Sequence, residues 1–173
     1  MTAFLHFKQK YLHVKGLLPD PVLQYLKVYC DILRANDAFR RDSQRAMTVV
    51  DDPVFDAVLC WINPSVGRLA GFDLAPDHSY ACISISARGE TALQSRDWTD
   101  YGLSVVVPIR ISTNTEPPVL HLKAPDRPEA RIEMSDGDGC LLGNEVTCRI
   151  DPDSSDGCVH LFLHFIDPLA FSQ

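Results

Sequence analysis

From Ser79 to Ile166 the sequence falls into short β-forming runs cut by turn residues, and few architectures accommodate that rhythm. Tyr80 to Ser86 alternates weakly. Tyr101 to Ile111 is rich in β-branched side chains, with Val105, Val106, Val107, Ile109 and Ile111. Val119 to Leu122 is short, Asp136-Gly137-Asp138-Gly139 forms a turn into Cys140-Leu141-Leu142, and Val159 to Ile166 is strongly apolar. β-Branched residues suit a pleated surface, while Gly, Pro and Asp place chain reversals between strands. Short strands of this kind predict a sandwich or jelly roll. Proline-rich composition predicts exposed loops between Thr113 and Pro118 and between Pro125 and Glu129.

The first half carries helical periodicity instead. After Pro19-Asp20-Pro21, the residues Val22, Leu23, Leu26, Tyr29, Cys30, Ile32 and Leu33 recur at spacings of three and four and mark one helix face. Asp20 and Pro21 suit the N-cap and first turn. A second helix is predicted after Asp51-Asp52-Pro53, with Val54, Phe55, Val58, Leu59 and Ile62 inward. Asn63-Pro64 interrupts it, and Val66 to Leu69 resumes it for a turn. There is no internal repeat. The expected fold is mainly β with helices (α+β), a single domain over residues 1–173. Residues of about 1–78 form a mostly helical support packed outside, and about 79–167 form the barrel core.

Composition removes several classes of function. A net charge of −7 with no basic run argues against nucleic acid, because phosphate binders cluster Lys and Arg. No stretch has the apolar length of a membrane span, and Met1 to Lys10 lacks the apolar core of a secretory signal, so a cytoplasmic protein is expected. The six cysteines, Cys30, Cys60, Cys82, Cys140, Cys148 and Cys158, form no Cys-x-x-Cys pair and read mostly as buried thiols in a reducing compartment.

Three pieces of the sequence, in order, resemble the small iron(II)/2-oxoglutarate oxygenases. The first runs from Asp51-Asp52-Pro53-Val54-Phe55 through Leu59, Ile62-Asn63-Pro64, Gly71 and Leu74 to Ser79-Tyr80. It looks like the helix followed by "G..L.PTYSY" in that family. The second, Gly137-Asp138-Gly139-Cys140-Leu141-Leu142-Gly143-Asn144-Glu145-Val146, resembles "GDALLYRGREV". The third, His160-Leu161-Phe162-Leu163-His164-Phe165-Ile166-Asp167, resembles the terminal "QVFLHYVD" strand. The resemblance implies a double-stranded β-helix, which agrees with the strand rhythm.

It also implies a site whose chemistry has changed. These enzymes hold iron with two histidines and one carboxylate, leaving positions for 2-oxoglutarate and oxygen. The His-x-Asp pair corresponds here to Ser95-Arg96-Asp97, so the carboxylate is kept and the imidazole is not. The distal histidine corresponds to Cys148. The arginine that follows it in the family matches Ile150, with Arg149 one residue away. The cosubstrate tyrosine has no counterpart around Ser84. The resemblance therefore implies no metal and no cofactor in this chain.

Each candidate has an ordinary alternative. Asp97 is a retained acid or base, or a surface carboxylate beside Arg96. Cys148 is a nucleophile or, more often for a lone cysteine, a packed thiol. Arg149 grips a substrate carboxylate or lies solvated on a strand. Ser95, Trp98, Tyr101 and Arg110 are candidate substrate contacts, with turn and cross-strand packing as their alternative. His121 and His164 are sheet histidines, or with Asp97 a rearranged metal site. Three functions follow. One is a metal-independent isomerase, cyclase or lyase on a small organic molecule, with Asp97, Cys148 and Arg149 catalytic. Another is a non-catalytic ligand-binding or partner protein, as a homodimer or paired with an active oxygenase. The third is an iron oxygenase with atypical ligands.

Overall fold

The structure, a computed structural model, describes residues 10–41, 47–71, 74–85, 102–110, 117–150 and 158–166. Its elements in chain order are β1 (Tyr11–Val14), α1 (Asp20–Ala35), β2 (Arg40–Arg41), β3 (Met47–Val50), α2 (Pro53–Ala70), β4 (Ala75–Ile85), β5 (Leu103–Arg110), β6 (Val119–Lys123), β7 (Ala130–Glu133), β8 (Gly139–Gly143), β9 (Thr147–Ile150) and β10 (Cys158–Ile166). They build a seven-stranded sheet ordered β1-β8-β5-β10-β4-β3-β2 and a three-stranded sheet ordered β7-β6-β9. Every pairing among the described strands is antiparallel. Strands from opposite ends of the sequence interleave, since β10 lies between β4 and β5. This is the jelly-roll arrangement expected from the strand rhythm.

Alternation along β5 and β10 sorts side chains into two cores. Val105, Val107, Ile109, Leu161, Leu163 and Phe165 face the helices, where they meet Leu26, Phe55, Leu59 and Ile62. Val106 and Phe162 face the other way. They meet Cys82, Cys140 and Leu142 of their own sheet and Leu120, Leu122, Cys148 and Ile150 of the small sheet. A fully buried Leu, Ile or Phe contributes roughly 1.5–3 kcal/mol, so both faces of the large sheet stabilise the fold.

The helical half departs from expectation in four places. Asp20 is the first residue of α1 and Pro19 takes the N-cap position, with no side-chain cap. Ile32, expected inward, is 51% exposed. α2 does not stop at Pro64. Ile62 and Val66 are buried on either side of it, at 2% and 0% exposure, and their packing carries the helix through to a left-handed Gly71 at φ 83°. Finally, the region before Ser79 is not only helical: β1 pairs with β8, and β3 pairs with β4. These strands have four residues each, too few for alternation to declare itself.

The turn before β8 locks β1 and α1 to the sheet. Gly137 sits at φ 77°, and its carbonyl accepts from the Leu18 amide at 2.9 Å. Asp138 accepts from the Gly16 amide at 2.9 Å and the Ser135 amide at 3.1 Å, and its Oδ2 is 2.9 Å from His13 Nε2.

Candidate functional site

The position matched to the distal iron ligand is on β9, where Thr147 and Arg149 are exposed and Cys148 and Ile150 are buried. A strand sends successive side chains to opposite faces. Cys148 therefore points between the sheets, at 2% exposure, among Val106, Leu120, Leu122 and Phe162. Burial drives its thiol strongly upward from the ordinary value, and nearby Cys140 adds to the shift. Cys140 is itself pushed up to about 12 by burial. A thiol held protonated is neither a good nucleophile nor a metal ligand.

Arg149 does not join Cys148. It lies on the outer face, opposite His121 of β6. His121 is opposite Arg131 on its other side, and its Nδ1 is 3.0 Å from Glu129. The outer-face position of His121 is that of a partnered sheet histidine. Arg110 is engaged at the end of β5: its Nε donates to Asp136 at 2.6 Å, and Lys27 donates to the other Asp136 oxygen at 2.5 Å. Two cations on one carboxylate fasten α1 and β5 to the turn before β8. Ser95, Asp97, Trp98 and Tyr101 lie outside the described residues.

Among the described residues, His160 and His164 of β10 and Ser104 of β5 are buried polar groups on the side facing the small sheet. His160 and His164 flank Phe162 on the same side of the strand, with ring centroids 6.4 and 6.3 Å from the Phe162 ring. They are 2% and 1% exposed. Burial lowers His160 to about 4 and His164 to about 3, so both imidazoles are neutral at pH 7. His164 Nδ1 lies 2.9 Å from Ser104 Oγ of the adjacent strand. The candidate site is thus a neutral imidazole–hydroxyl pair beside Phe162. The signal for it was present in His160-Leu161-Phe162-Leu163-His164, whose alternation puts both histidines on the Phe162 side.

These residues do not make the iron site of the resembling enzymes. Among the described residues no three His, Cys, Asp or Glu side chains come together as metal ligands. His164 Nδ1 is occupied by Ser104, and Cys148 lies in an apolar cluster with the Cys140 thiol nearby. Iron(II) oxygenase sites need nitrogen and oxygen donors around open coordination positions. Cys148 among apolar side chains supplies neither.

No protein-family model and no curated protein matches the sequence. Solved structures match the fold. A prolyl-4-hydroxylase from Pseudomonas putida superposes with a TM-score of 0.72 at 13% identity, covering 91% of this chain and 93% of that one. A 2OG-Fe(II) oxygenase family oxidoreductase from Burkholderia pseudomallei gives 0.64 at 12% identity, covering 92% and 85%. The non-heme alpha-ketoglutarate-dependent carbocyclase SnoK of nogalamycin biosynthesis gives 0.67 at 13% identity, covering 96% and 84%. The chain therefore has the double-stranded β-helix fold of the 2OG-Fe(II) oxygenases. No helix among the described residues is long and apolar enough to cross a membrane.

Proposed function

We propose that this chain is a non-catalytic protein on an oxygenase fold, which binds a ligand or a partner rather than turning over 2-oxoglutarate. The observation that carries this reading is the burial of Cys148, 2% exposed and set in the apolar cluster between the sheets. The ligand-bearing end of β9 is packed as core, and the neighbouring Arg149 turns outward. Fold alone does not decide function, so the weight rests on that side chain. The test is succinate release from 2-oxoglutarate with added iron(II). We expect none above the uncatalysed rate, and succinate that tracks added iron would refute the reading.

A second reading, a metal-independent isomerase, cyclase or lyase, is supported by one observation. His160 and His164 are neutral imidazoles, and Ser104 lies against the second. A neutral imidazole has a lone pair that can accept a proton, and values of about 4 and 3 make these two weak bases that need a strong driving force. The acid partner proposed from the sequence is Asp97, which lies outside the described residues. Its test is product formation from small cyclic or hydroxylated metabolites in the presence of a chelator. Activity that survives chelation and falls in His164→Gln and Asp97→Asn supports catalysis. Activity indifferent to both substitutions removes this reading.

A further inference from the structure

Helix α1 carries two apolar faces. Leu23, Leu26 and Cys30 are buried against the sheet, while on the opposite side Tyr25, Val28 and Ile32 are 59%, 62% and 51% exposed. The outer face keeps a strict alternation of spacings, four then three, through Pro21, Tyr25, Val28, Ile32 and Ala35, all of them exposed. That is the a/d repeat of a helix that packs along a second helix, and it is narrower than the face a helix lays on a core. Leu23, Leu26 and Cys30 already seat α1 on its own sheet, so the outer row adds nothing to the fold of a single copy.

One flank of this row is apolar and the other is polar. At about 100° per residue, Val22 and Tyr29 fall on the flank next to α2. There Tyr29 donates to Asp52 at 2.7 Å, and Val22 and Tyr25 line an open groove with Val54, Val58 and Trp61. Gln24 and Asp31 fall on the other flank, and both are exposed. The remaining charges of α1, on Asp20, Lys27 and Arg34, project further round the helix and away from the row. Asp31 is thus the one α1 charge beside it, and the row selects a partner by apolar shape rather than by charge. Two copies packed antiparallel set like flank on like flank: Val22 against the partner's Tyr29, and Gln24 against the partner's Asp31. Parallel packing would instead press the apolar flank of each copy onto the polar flank of the other, leaving Asp31 beside Asn36 and Gln24 beside Tyr29.

We infer that α1 is the interface of a two-fold homodimer, paired antiparallel through Pro21, Tyr25, Val28 and Ile32. Tyr25 then meets the partner's Val28, and Pro21 meets the partner's Ile32. A two-fold contact uses the same patch on both copies, which a single apolar row on one helix supplies. α1 has 16 residues and is about 24 Å long. Two such rows, with Trp61 at the edge of each, bury on the order of 1,000 Å² in total. That is the low end for specific interfaces, so a reversible dimer with a Kd on the order of 10 μM is expected. The inference rests on the partner-protein reading above and names the partner as a second copy. Succinate release would sink that reading with the dimer untouched, and a monomer at every concentration would sink the dimer alone.

The experiment is sedimentation velocity on the full chain from about 1 to about 300 μM, a range that brackets the expected Kd. We expect a reversible monomer–dimer equilibrium. Val28→Asp puts a charge at the centre of the row and should weaken the dimer roughly tenfold or more. Its urea midpoint should stay close to that of the parent, because Val28 is exposed. Ile32→Lys repeats the test if Val28→Asp fails to fold. Orientation is read at Gln24. Gln24→Lys, opposite the partner's Asp31, should tighten the dimer about threefold, and Gln24→Glu should loosen it by a similar factor, both effects fading at high salt. A monomer throughout the range overturns the inference, and so does a dimer that Val28→Asp leaves intact. Gln24 variants that shift the Kd in the same direction, or not at all, overturn the antiparallel pairing.

Discussion

Nδ1 of His164 lies 2.9 Å from the hydroxyl of Ser104, a contact between neighbouring strands sealed inside the protein. With His160, at about 4, and His164, at about 3, this interior is sensitive to acid. Both folded values are lower than that of an unfolded histidine, near ~6.5. Between those limits the unfolded chain takes up protons that the folded chain refuses. Stability should therefore be full above about pH 6.5 and fall as pH drops toward 4. The loss at about pH 4.5 should be roughly 3–5 kcal/mol for the pair, at ~1.4 kcal/mol per pH unit for each group. Urea midpoints at about pH 7 and about pH 4.5 measure it. Equal midpoints would show that the two imidazoles titrate normally. The double variant Ser104→Ala, His164→Phe should flatten about half of the slope.

Asp138 supports the N-terminal strand in a way that a substitution can expose. Burial acts to raise its carboxyl. The Gly16 amide, the His13 side chain and the Ser135 amide outweigh that effect and hold it below the ordinary value. Asp138→Ala would strand two backbone donors in a site where Asp138 is 5% exposed. A buried donor without a partner costs about 1–3 kcal/mol, but Gly16 and Ser135 are themselves exposed and water reaches their amides in part, so the expected loss is roughly 1–2 kcal/mol. Hydrogen exchange should accelerate first at Tyr11–Val14, which pair with β8 directly beside this contact. Uniform acceleration over all strands would show that Asp138 does not act locally.

Cys148 separates a packed thiol from a working one. Cys148→Val keeps the site apolar but adds about one carbon to a packed core, and should cost about 1 kcal/mol. Cys148→Ser puts a hydroxyl among Leu120, Leu122 and Phe162 and should cost about 1–3 kcal/mol. At this chain length that lowers Tm by roughly 2–10 °C. A serine variant as stable as the valine variant would mean that this space is wet and polar.

The elements read from sequence were those with long patterns. The β-branched run in β5 and the apolar run in β10 announced central strands, and the three-and-four spacing of Leu23, Leu26 and Cys30 announced α1. β1 was not legible, because Tyr11-Leu12-His13-Val14 is half-buried throughout and earns its place by pairing with β8, far away in sequence. For the site, the position of Cys148 was legible from the turn at Gly143–Val146, but its surroundings were not. Whether a cysteine sits in hydrocarbon or beside a cation depends on which strands close over it, and that is a tertiary property. The direction of Arg149 followed from alternation once Cys148 was known to point inward.

Pro64 is where local preference and packing disagree most, and a substitution there should stabilise the protein. α2 runs from Pro53 to Ala70 with Pro64 inside it. A proline in a helix cannot donate to the carbonyl four residues earlier, here Cys60, and its ring crowds that carbonyl, at a cost of about 3 kcal/mol. The preceding Asn63 is affected too. Its Oδ1 is buried and has no hydrogen-bond partner. Pro64 itself is exposed, so replacing it removes little packing. Pro64→Ala restores the donor and the helical preference, a gain of up to ~3 kcal/mol. Against that, losing proline frees the unfolded chain and costs about 0.4–1 kcal/mol. The net expectation is a gain of about 1–2 kcal/mol, read as a higher urea midpoint with an unchanged m-value. A lower midpoint for Pro64→Ala would mean that the bend at Pro64 is required to seat Ile62 and Val66 together on the sheet, and that the helix is shaped by its proline rather than holding together in spite of it.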